Sequence, residues 1–270
     1  TGYRAIANNS AAYTGRPDFD VFLTEWLALH ESKSGERGIY NRVAAQAKAT
    51  AIGREAAEFG VNPCAEISLR AMQFCNLTEV VVRADDTRET LREKVRHATI
   101  LGTLQSDLTD IKYLRKKWTD NCEDERLLGV SLTGITDHPL LGNPNDPSSP
   151  DLLRELRTVA RETNAEWAHK LGIKPSVAVT TVKPSGPVSQ LVNSSSGIHP
   201  RFSAYYIRRV RANNKDPLAV LMQAQGFPCE ADVANANNLV FAFPVAAPDG
   251  ARLAADVDAI TPCKLWAAYN

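Results

Sequence analysis

Long amphipathic stretches alternate along the chain with short apolar runs, and this alternation is the feature that most restricts the fold. The apolar runs are rich in β-branched residues and have the length of buried strands. They cover residues 76–82, 127–135, 176–182, 204–212 and 238–244. Strands that alternate with helices are typical of α/β proteins with parallel strands. The sequence therefore predicts an α/β fold with a parallel sheet.

Residues that flank the amphipathic stretches indicate where helices begin and end. Pro17 predicts the start of a first helix, and Gly35 predicts its end. Asn41 is placed to act as the N-cap of a second, alanine-rich helix. Asp86 and Glu89 have the spacing of a capping box ahead of a third, long helix.

The remaining organisation predicts one domain. The Pro- and Asn-rich segment 137–151 is interpreted as a surface loop, and a further helix is predicted from about Pro150 to Leu171. With 270 residues the chain is long enough for a single large domain, and we assign residues 1–270 to it. Because the sequence does not begin with Met, we expect it to be a fragment.

Charge and hydropathy disfavour two classes of partner. Lys+Arg and Asp+Glu both number 31, so the formal net charge is zero and nothing attracts a polyanion without specificity. No apolar run approaches the roughly 20 residues that a membrane span needs. Partners are therefore expected to include no nucleic acid and no membrane.

The cysteines and histidines argue against disulfide and metal sites. The cysteines are Cys64, Cys75, Cys122, Cys229 and Cys263. Their number is odd and no C-x-x-C occurs, which disfavours a secreted disulfide framework and a structural zinc site. The 5 histidines show no ligand spacing, so we predict no protein metal site. A reducing cytoplasm is the expected location.

One cysteine has unusually polar company in “NPCAEI”. In an extended backbone Asn62, Cys64 and Glu66 project from the same side, and Pro63 favours a loop. A neighbouring carboxylate keeps a thiol protonated, which does not suit a cysteine hydrolase. A protonated thiol does suit transfer of a hydrogen atom, with Glu66 as general base and Asn62 as a hydrogen-bonding group.

A second motif, “TVKPSGPVSQL”, has the pattern of a strand, a turn and a helix. The N-terminus of a helix offers free N–H groups and a positive dipole end to phosphate oxygens. Ser185 adds a hydroxyl, and Gly186 lets an anion approach the backbone. The alternative is a plain helix cap with no ligand.

Together these segments resemble the ribonucleotide reductase family. “NPCAEISL” (62–69) and “QFCNLTEV” (73–80) are similar to its active-site region, nearest to the adenosylcobalamin-dependent branch that acts on ribonucleoside triphosphates. Four further segments resemble the family in the same order, namely residues 31–42, 125–135, 182–192 and 196–211. Several ordered motifs are much more specific than N-x-C-x-E alone.

The resemblance implies a role for each residue of the first motif. Cys64 would become the thiyl radical that abstracts the ribose 3′-hydrogen, Glu66 would deprotonate the 3′-hydroxyl, and Asn62 would bind the ribose hydroxyls. Cys75 would be one half of the reducing dithiol, whose other half lies upstream in the family, where this chain has no cysteine. Pro187 stands where the family usually has Thr or Ser, which puts phosphate affinity in question.

The resemblance also implies the fold, cofactor and partners. The expected fold is a partial α/β barrel with a central active-site finger loop, over residues 1–270 as one incomplete catalytic domain. The cofactor would be adenosylcobalamin, and the partners a ribonucleoside triphosphate and an external dithiol reductant such as thioredoxin. The implied substrate-binding residues are Asn62, Pro63, Cys64, Ala65, Glu66, Pro184, Ser185, Gly186, Pro187 and Val188.

Two alternatives remain open from the sequence. One is a ribonucleoside-diphosphate reductase subunit that takes its radical from a separate subunit. The short distance in sequence between Cys64 and Cys75 resembles the cobalamin branch more closely. The other is a nucleotide-binding fragment that is inactive on its own.

Overall fold

The computed structural model describes residues 9–33 and 38–269. The strands in these ranges are β1 (Ser10–Tyr13), β2 (Gly38–Asn41), β3 (Gly60–Val61), β4 (Ser68–Leu69), β5 (Asn76–Val81), β6 (Leu128–Thr133), β7 (Tyr205–Asn213), β8 (Cys229–Ala231) and β9 (Asn238–Ala246). The helices are α1 (Phe19–Ser32), α2 (Arg42–Ala51), α3 (Arg88–Ser106), α4 (Lys116–Glu125), α5 (Ser149–Leu171), α6 (Pro187–Leu191), α7 (Pro217–Ala224) and α8 (Ile260–Tyr269). None of these helices has the length and apolar character needed to cross a membrane.

The hydrophobic core forms around a parallel pair of strands. β5 and β6 pair in parallel along their full lengths, which confirms the prediction for the first two apolar runs. The strand predicted for residues 176–182 is wrong, because this segment forms only an isolated parallel bridge between Thr180 and Val130. The segment still lies beside β6, where the Val130 N–H donates to the Val179 carbonyl over 2.8 Å. α3 packs against both strands, and α5 packs against α3. The buried side chains of the core include Val80, Val82, Leu91, Val95, Leu128, Ile135, Leu141, Leu152 and Leu156.

The prediction of parallel strands is wrong for the last two runs. β7 and β9 pair antiparallel, from Tyr205 opposite Ala246 to Asn213 opposite Asn238, and β8 pairs antiparallel with β9. β7 alternates exposed and half-buried positions, as expected of an antiparallel strand with one solvated face. The mixed α/β class is therefore confirmed. Within the described ranges the sheets have two or three strands and none closes into a barrel.

The predicted helix ends are partly correct. Asn41 is the N-cap of α2, and its side chain accepts an N–H of the first turn over 3.0 Å. The N-cap of α3 is Thr87 rather than Asp86, and its capping-box partner is Thr90. The Asp86 carboxylate forms an ion pair with Lys94 of α3 and is not the N-cap of the helix. Gly35 lies outside the described residues.

The surface-loop prediction for 137–151 is wrong in its first half. Asp137 is buried and accepts two hydrogen bonds from the Arg201 guanidinium, at 2.9 and 2.8 Å. Leu141 is fully buried in the core. Asp137 is polar but buried in an ion pair. A prediction from composition cannot distinguish such a residue from one that is exposed to solvent. α5 then begins at Ser149, close to the predicted position.

Candidate active site

A short hairpin carries the first motif. β3 and β4 pair antiparallel, with Gly60 opposite Leu69, and residues 62–67 connect them; we call residues 60–69 the finger hairpin. The Ala65 N–H donates to the Asn62 carbonyl over 2.9 Å, and Ala65 has a φ of 64°, uncommon for a residue with a side chain. The connection is therefore a tight turn, which confirms the loop that Pro63 favours. The extended backbone assumed for Asn62, Cys64 and Glu66 is wrong.

The tight turn nevertheless brings the side chains of Asn62 and Glu66 together. The Asn62 amide donates to Oε1 of Glu66 over 2.6 Å, and its carbonyl oxygen accepts the Ile67 N–H over 3.0 Å. The Lys183 ammonium also pairs with Oε1 of Glu66, at 2.9 Å. Oε2 of Glu66 is buried and has no hydrogen-bond partner in residues 9–33 and 38–269. One carboxylate oxygen is thus anchored, and the other is free to accept a proton.

Two free cysteines lie in this neighbourhood. Cys64 is exposed in the turn, and Cys75 is partly buried directly ahead of β5. Burial raises the pKa of the Cys75 thiol, and the charge of Glu66 adds to this, while Lys183 opposes it. Cys75 is therefore within electrostatic reach of the Glu66–Lys183 pair. Its protonated form is favoured, which suits a thiol reductant better than a thiolate nucleophile.

Lys183 is a site residue that the sequence analysis missed. It pairs with Glu66. Burial lowers the pKa of Lys183, but Glu66 and, more weakly, Cys64 raise that pKa on balance. Thr181 donates its hydroxyl to the Glu66 carbonyl over 3.3 Å, so this segment runs along the turn. No spacing pattern connects residues so distant in sequence. The only signal was the position of Lys183 directly ahead of Pro184 in the second motif.

The second motif forms a turn into a helix, and α6 begins at Pro187 with Gly186 as its N-cap. A Cβ atom at Gly186 would meet no heavy atom within 4 Å, so the backbone there faces open space. Val188 is exposed, whereas Ser185 is buried and donates its hydroxyl to Glu79 over 2.9 Å. The hydroxyl proposed for a phosphate is therefore bound to a carboxylate in this structure.

A buried carboxylate ties the finger hairpin to the rest of the molecule. Glu125, the last residue of α4, accepts from Arg54 at 2.9 and 2.8 Å and from Gln73 at 2.6 Å, and pairs with Arg70 at 3.0 Å. Arg54 precedes β3, Arg70 follows β4, and Gln73 leads to Cys75. One side chain therefore fixes both ends of the hairpin and the segment that carries the second cysteine.

Two cavities of the protein are lined by no residue of the finger hairpin or of the second motif. One of about 440 Å³ lies beside the C-terminal ends of α4 and α5, and one of about 300 Å³ lies between Arg83 and Arg201. The Cys64 turn is instead an open face. No group of three or more potential metal ligands occurs in the described part of the chain.

Comparison with known proteins places this arrangement in a family. No protein-family model matches the chain. The adenosylcobalamin-dependent ribonucleoside-triphosphate reductase of Lacticaseibacillus paracasei is 31% identical over 274 residues, which cover 91% of this chain and 36% of that protein. A crystal structure of a B12-dependent (class II) ribonucleotide reductase matches with a TM-score of 0.71 at 26% identity, over 98% of this chain and 41% of its own. The chain belongs to the ribonucleotide reductase family.

This ribonucleotide reductase chain spans about a third of the curated relative it matches and about two fifths of the class II structure. The class Id reductase alpha subunit of Actinobacillus ureae shares the fold, with a TM-score of 0.53 over 78% of this chain and 44% of that chain. Its sequence identity is only 17%, so this second likeness concerns the fold alone.

Proposed function

We propose that the chain is part of an enzyme that reduces ribonucleoside triphosphates to 2′-deoxyribonucleoside triphosphates for DNA synthesis with adenosylcobalamin. The names of the similar proteins support this reaction and this cofactor. The observation that carries the proposal is the turn of the finger hairpin. It holds an exposed thiol, Cys64, beside a buried carboxylate, Glu66, whose Oε2 has no partner in the described ranges.

The residues of this turn fit the proposed cofactor. Cys64 is exposed, so its S–H bond is accessible from outside the turn, and its neighbours Asn62 and Glu66 contact each other rather than the sulfur. When bound, adenosylcobalamin supplies the radical that removes the hydrogen atom from the Cys64 thiol. Cys64 is the residue that would face the cofactor.

The proposed reaction assigns one step to each side chain. The Cys64 sulfur radical takes the hydrogen atom from C3′ of the ribose and becomes S–H, while Oε2 of Glu66 accepts the proton of the 3′-hydroxyl. The 2′-hydroxyl then leaves as water. One thiol of the pair formed by Cys75 and a second cysteine gives its proton to the departing 2′-hydroxyl. Together the two thiols supply two electrons and the hydrogen for C2′ and form a disulfide. Glu66 returns its proton to the 3′-oxygen, and Cys64 returns its hydrogen atom to C3′ and is again a sulfur radical. The Asn62 amide has a second N–H with which to bind a ribose hydroxyl.

We further propose that Pro184, Ser185, Gly186, Pro187 and Val188 form the seat of the substrate phosphates. The open space at Gly186 and the helix start that follows it support this role. The contact between Lys183 and Glu66 places the segment next to the finger hairpin. Pro63 and Ala65 shape the turn and complete the proposed substrate-binding set.

The proposed context follows from the family. We propose that residues 1–270 form one incomplete catalytic domain, that the small sheets belong to a larger α/β barrel, and that the finger hairpin lies near its centre; the match to the class II structure supports this. An external dithiol such as thioredoxin would re-reduce the disulfide. Five free cysteines suit the reducing cytoplasm.

The test is turnover by the intact protein that contains this chain. With adenosylcobalamin, a dithiol and ribonucleoside triphosphates, we expect 2′-deoxyribonucleoside triphosphates, and no product from Cys64→Ser, because an O–H bond is too strong for reversible hydrogen transfer. Cys263→Ser, at an exposed thiol of α8, is the matched control and should remain active. Turnover only of diphosphates with a separate radical subunit, or normal product from Cys64→Ser, would contradict the proposal.

A further inference from the structure

Lys183 is the cation that contacts the proposed catalytic pair. Its ammonium lies 2.9 Å from Oε1 of Glu66, and Cys64 is near enough to raise its pKa weakly. We infer that Lys183 is a positioning residue of the site, which pairs with the buried charge of Glu66 and determines which of its oxygens takes the substrate proton. This inference rests on the proposed function, because it assigns Lys183 a task in the same reaction.

The first part of the argument concerns burial. Only 7% of the Glu66 side chain is exposed, and a buried carboxylate pays a large cost for its charge unless it is paired. Asn62 supplies a hydrogen bond but no charge. The titratable groups around the carboxylate are the thiols of Cys64 and Cys75 and the ammonium of Lys183. Among the described groups around the carboxylate, the Lys183 ammonium is the one that carries an opposite charge, and it offsets the cost of burying the Glu66 charge.

The second part concerns direction. Asn62 and Lys183 both bind Oε1, and neither binds Oε2. The two donors therefore hold the carboxylate in one rotamer and leave a single acceptor for an incoming hydroxyl. Lys183 can do this because the preceding residues 178–181 lie along β6, so that its backbone is fixed by the core. Its side chain is only 20% exposed.

The first experiment is the pH–rate profile of the intact protein with adenosylcobalamin, ribonucleoside triphosphate and a dithiol. In Lys183→Met and Lys183→Gln the acid limb of kcat should move to higher pH by about one unit or more, because the ammonium no longer favours the ionised base. Lys183→Arg should return the acid limb of kcat to the pH at which the unaltered protein shows it. Lys174→Met removes a lysine paired with Asp124 and should leave the limb in place. An unmoved limb in both neutral variants overturns the inference.

The second experiment needs neither cofactor nor substrate. Iodoacetamide alkylation of Cys64, followed by mass spectrometry, should slow by up to about tenfold in Lys183→Met, because a nearby ammonium stabilises the thiolate. The exposed Cys263 is the internal reference and should not change. An unchanged Cys64 rate shows that the Lys183 charge does not act on the turn that carries Cys64, and it counts against the inference. Slower alkylation in a protein that does not reduce ribonucleotides instead contradicts the proposed function and leaves the contact in place.

Discussion

At the scale of single residues, the two oxygens of Glu66 have different surroundings. Oε1 accepts from Asn62 and Lys183, and Oε2 has no partner among the described residues. A buried acceptor left without a donor costs free energy, on the order of 1–3 kcal/mol. A buried polar group without a partner calls for an explanation, and a catalytic role is one such explanation. The substrate hydroxyl of the proposed reaction would supply the missing donor.

The two cysteines nearest the turn should respond differently to substitution. In the intact reductase, Cys75→Ser is expected to stop product formation after activation of the substrate at C3′, because a hydroxyl cannot supply the electrons. Exchange of a 3′-tritium label with solvent should therefore persist while deoxynucleotide formation stops. Cys122→Ser is the matched control, since Cys122 is buried and its sulfur accepts the Phe74 N–H over 3.4 Å. Multiple turnovers by Cys75→Ser would exclude it from the reducing dithiol.

At the scale of secondary-structure elements, the turn before α6 offers a direct test of phosphate binding. Gly186→Val should weaken nucleotide binding roughly ten- to a hundredfold, which corresponds to the loss of one charge-assisted hydrogen bond of about 1.5–3 kcal/mol. A Cβ atom at this position meets no heavy atom within 4 Å, so the loss is expected to report on the ligand rather than on folding. Pro187→Thr should bind equally well or more tightly. Equilibrium dialysis with a labelled triphosphate measures both.

Gly15→Val is the control for the phosphate seat, because a Cβ at Gly15 also meets nothing within 4 Å. Its nucleotide affinity should equal that of the unaltered protein. If Gly186→Val binds the triphosphate normally, the motif is only a helix cap. The Glu79 carboxylate that holds Ser185 would then be the reason why phosphate does not bind there.

The network around Glu125 predicts a large loss of stability. Glu125→Ala leaves Arg54 buried without its partner, and breaking such a pair costs about 3–5 kcal/mol. Burial raises the pKa of Glu125, but the hydrogen bonds and charges of Arg54, Gln73 and Arg70 lower it on balance. The contribution is therefore full above the unfolded pKa of about 4.3 and is lost as pH falls through the lower folded pKa.

Urea denaturation at neutral and acidic pH measures this contribution. Glu166→Ala is the control, because that carboxylate pairs with Arg96 and Lys170 on the exposed surface and should change the free energy of unfolding little. If Glu125→Ala unfolds at the same urea concentration as Glu166→Ala, the buried network does not hold the finger hairpin.

The sequence predicted the features that depend on neighbouring residues, and it did not predict those that depend on contacts between distant segments. The β5–β6 pair and the Asn41 cap follow from local patterns, and so did the placing of Asn62 near Glu66, although the backbone reason was wrong. The antiparallel pairing of β7 with β9 depends on which faces are covered, and no local pattern carries that information. The contact of Lys183 with Glu66 joins segments that are distant in sequence, so it could be identified only from the three-dimensional structure.

At the scale of the whole molecule, large apolar side chains remain exposed. α1 buries none of its residues, and Phe19 and Trp26 are 74% and 55% exposed. Leu191 of α6 and Phe202 are 86% and 76% exposed. Extensive apolar surface usually marks a contact surface. Because the chain spans 36% of the curated relative, we expect other parts of the intact reductase to cover α1.

Hydroxyl-radical footprinting of the intact protein and of a polypeptide of residues 1–270 tests this expectation. Phe19 and Trp26 should be oxidised several-fold more slowly in the intact protein, because a covering surface removes their access to solvent. Leu152, buried in the core, should be oxidised slowly in both, which shows that the shorter polypeptide is folded. The shorter polypeptide should also bind an apolar dye that the intact protein does not bind. Equal oxidation of Phe19 and Trp26 in both proteins would mean that α1 faces solvent in the intact reductase and that its apolar side chains contact no other part of it.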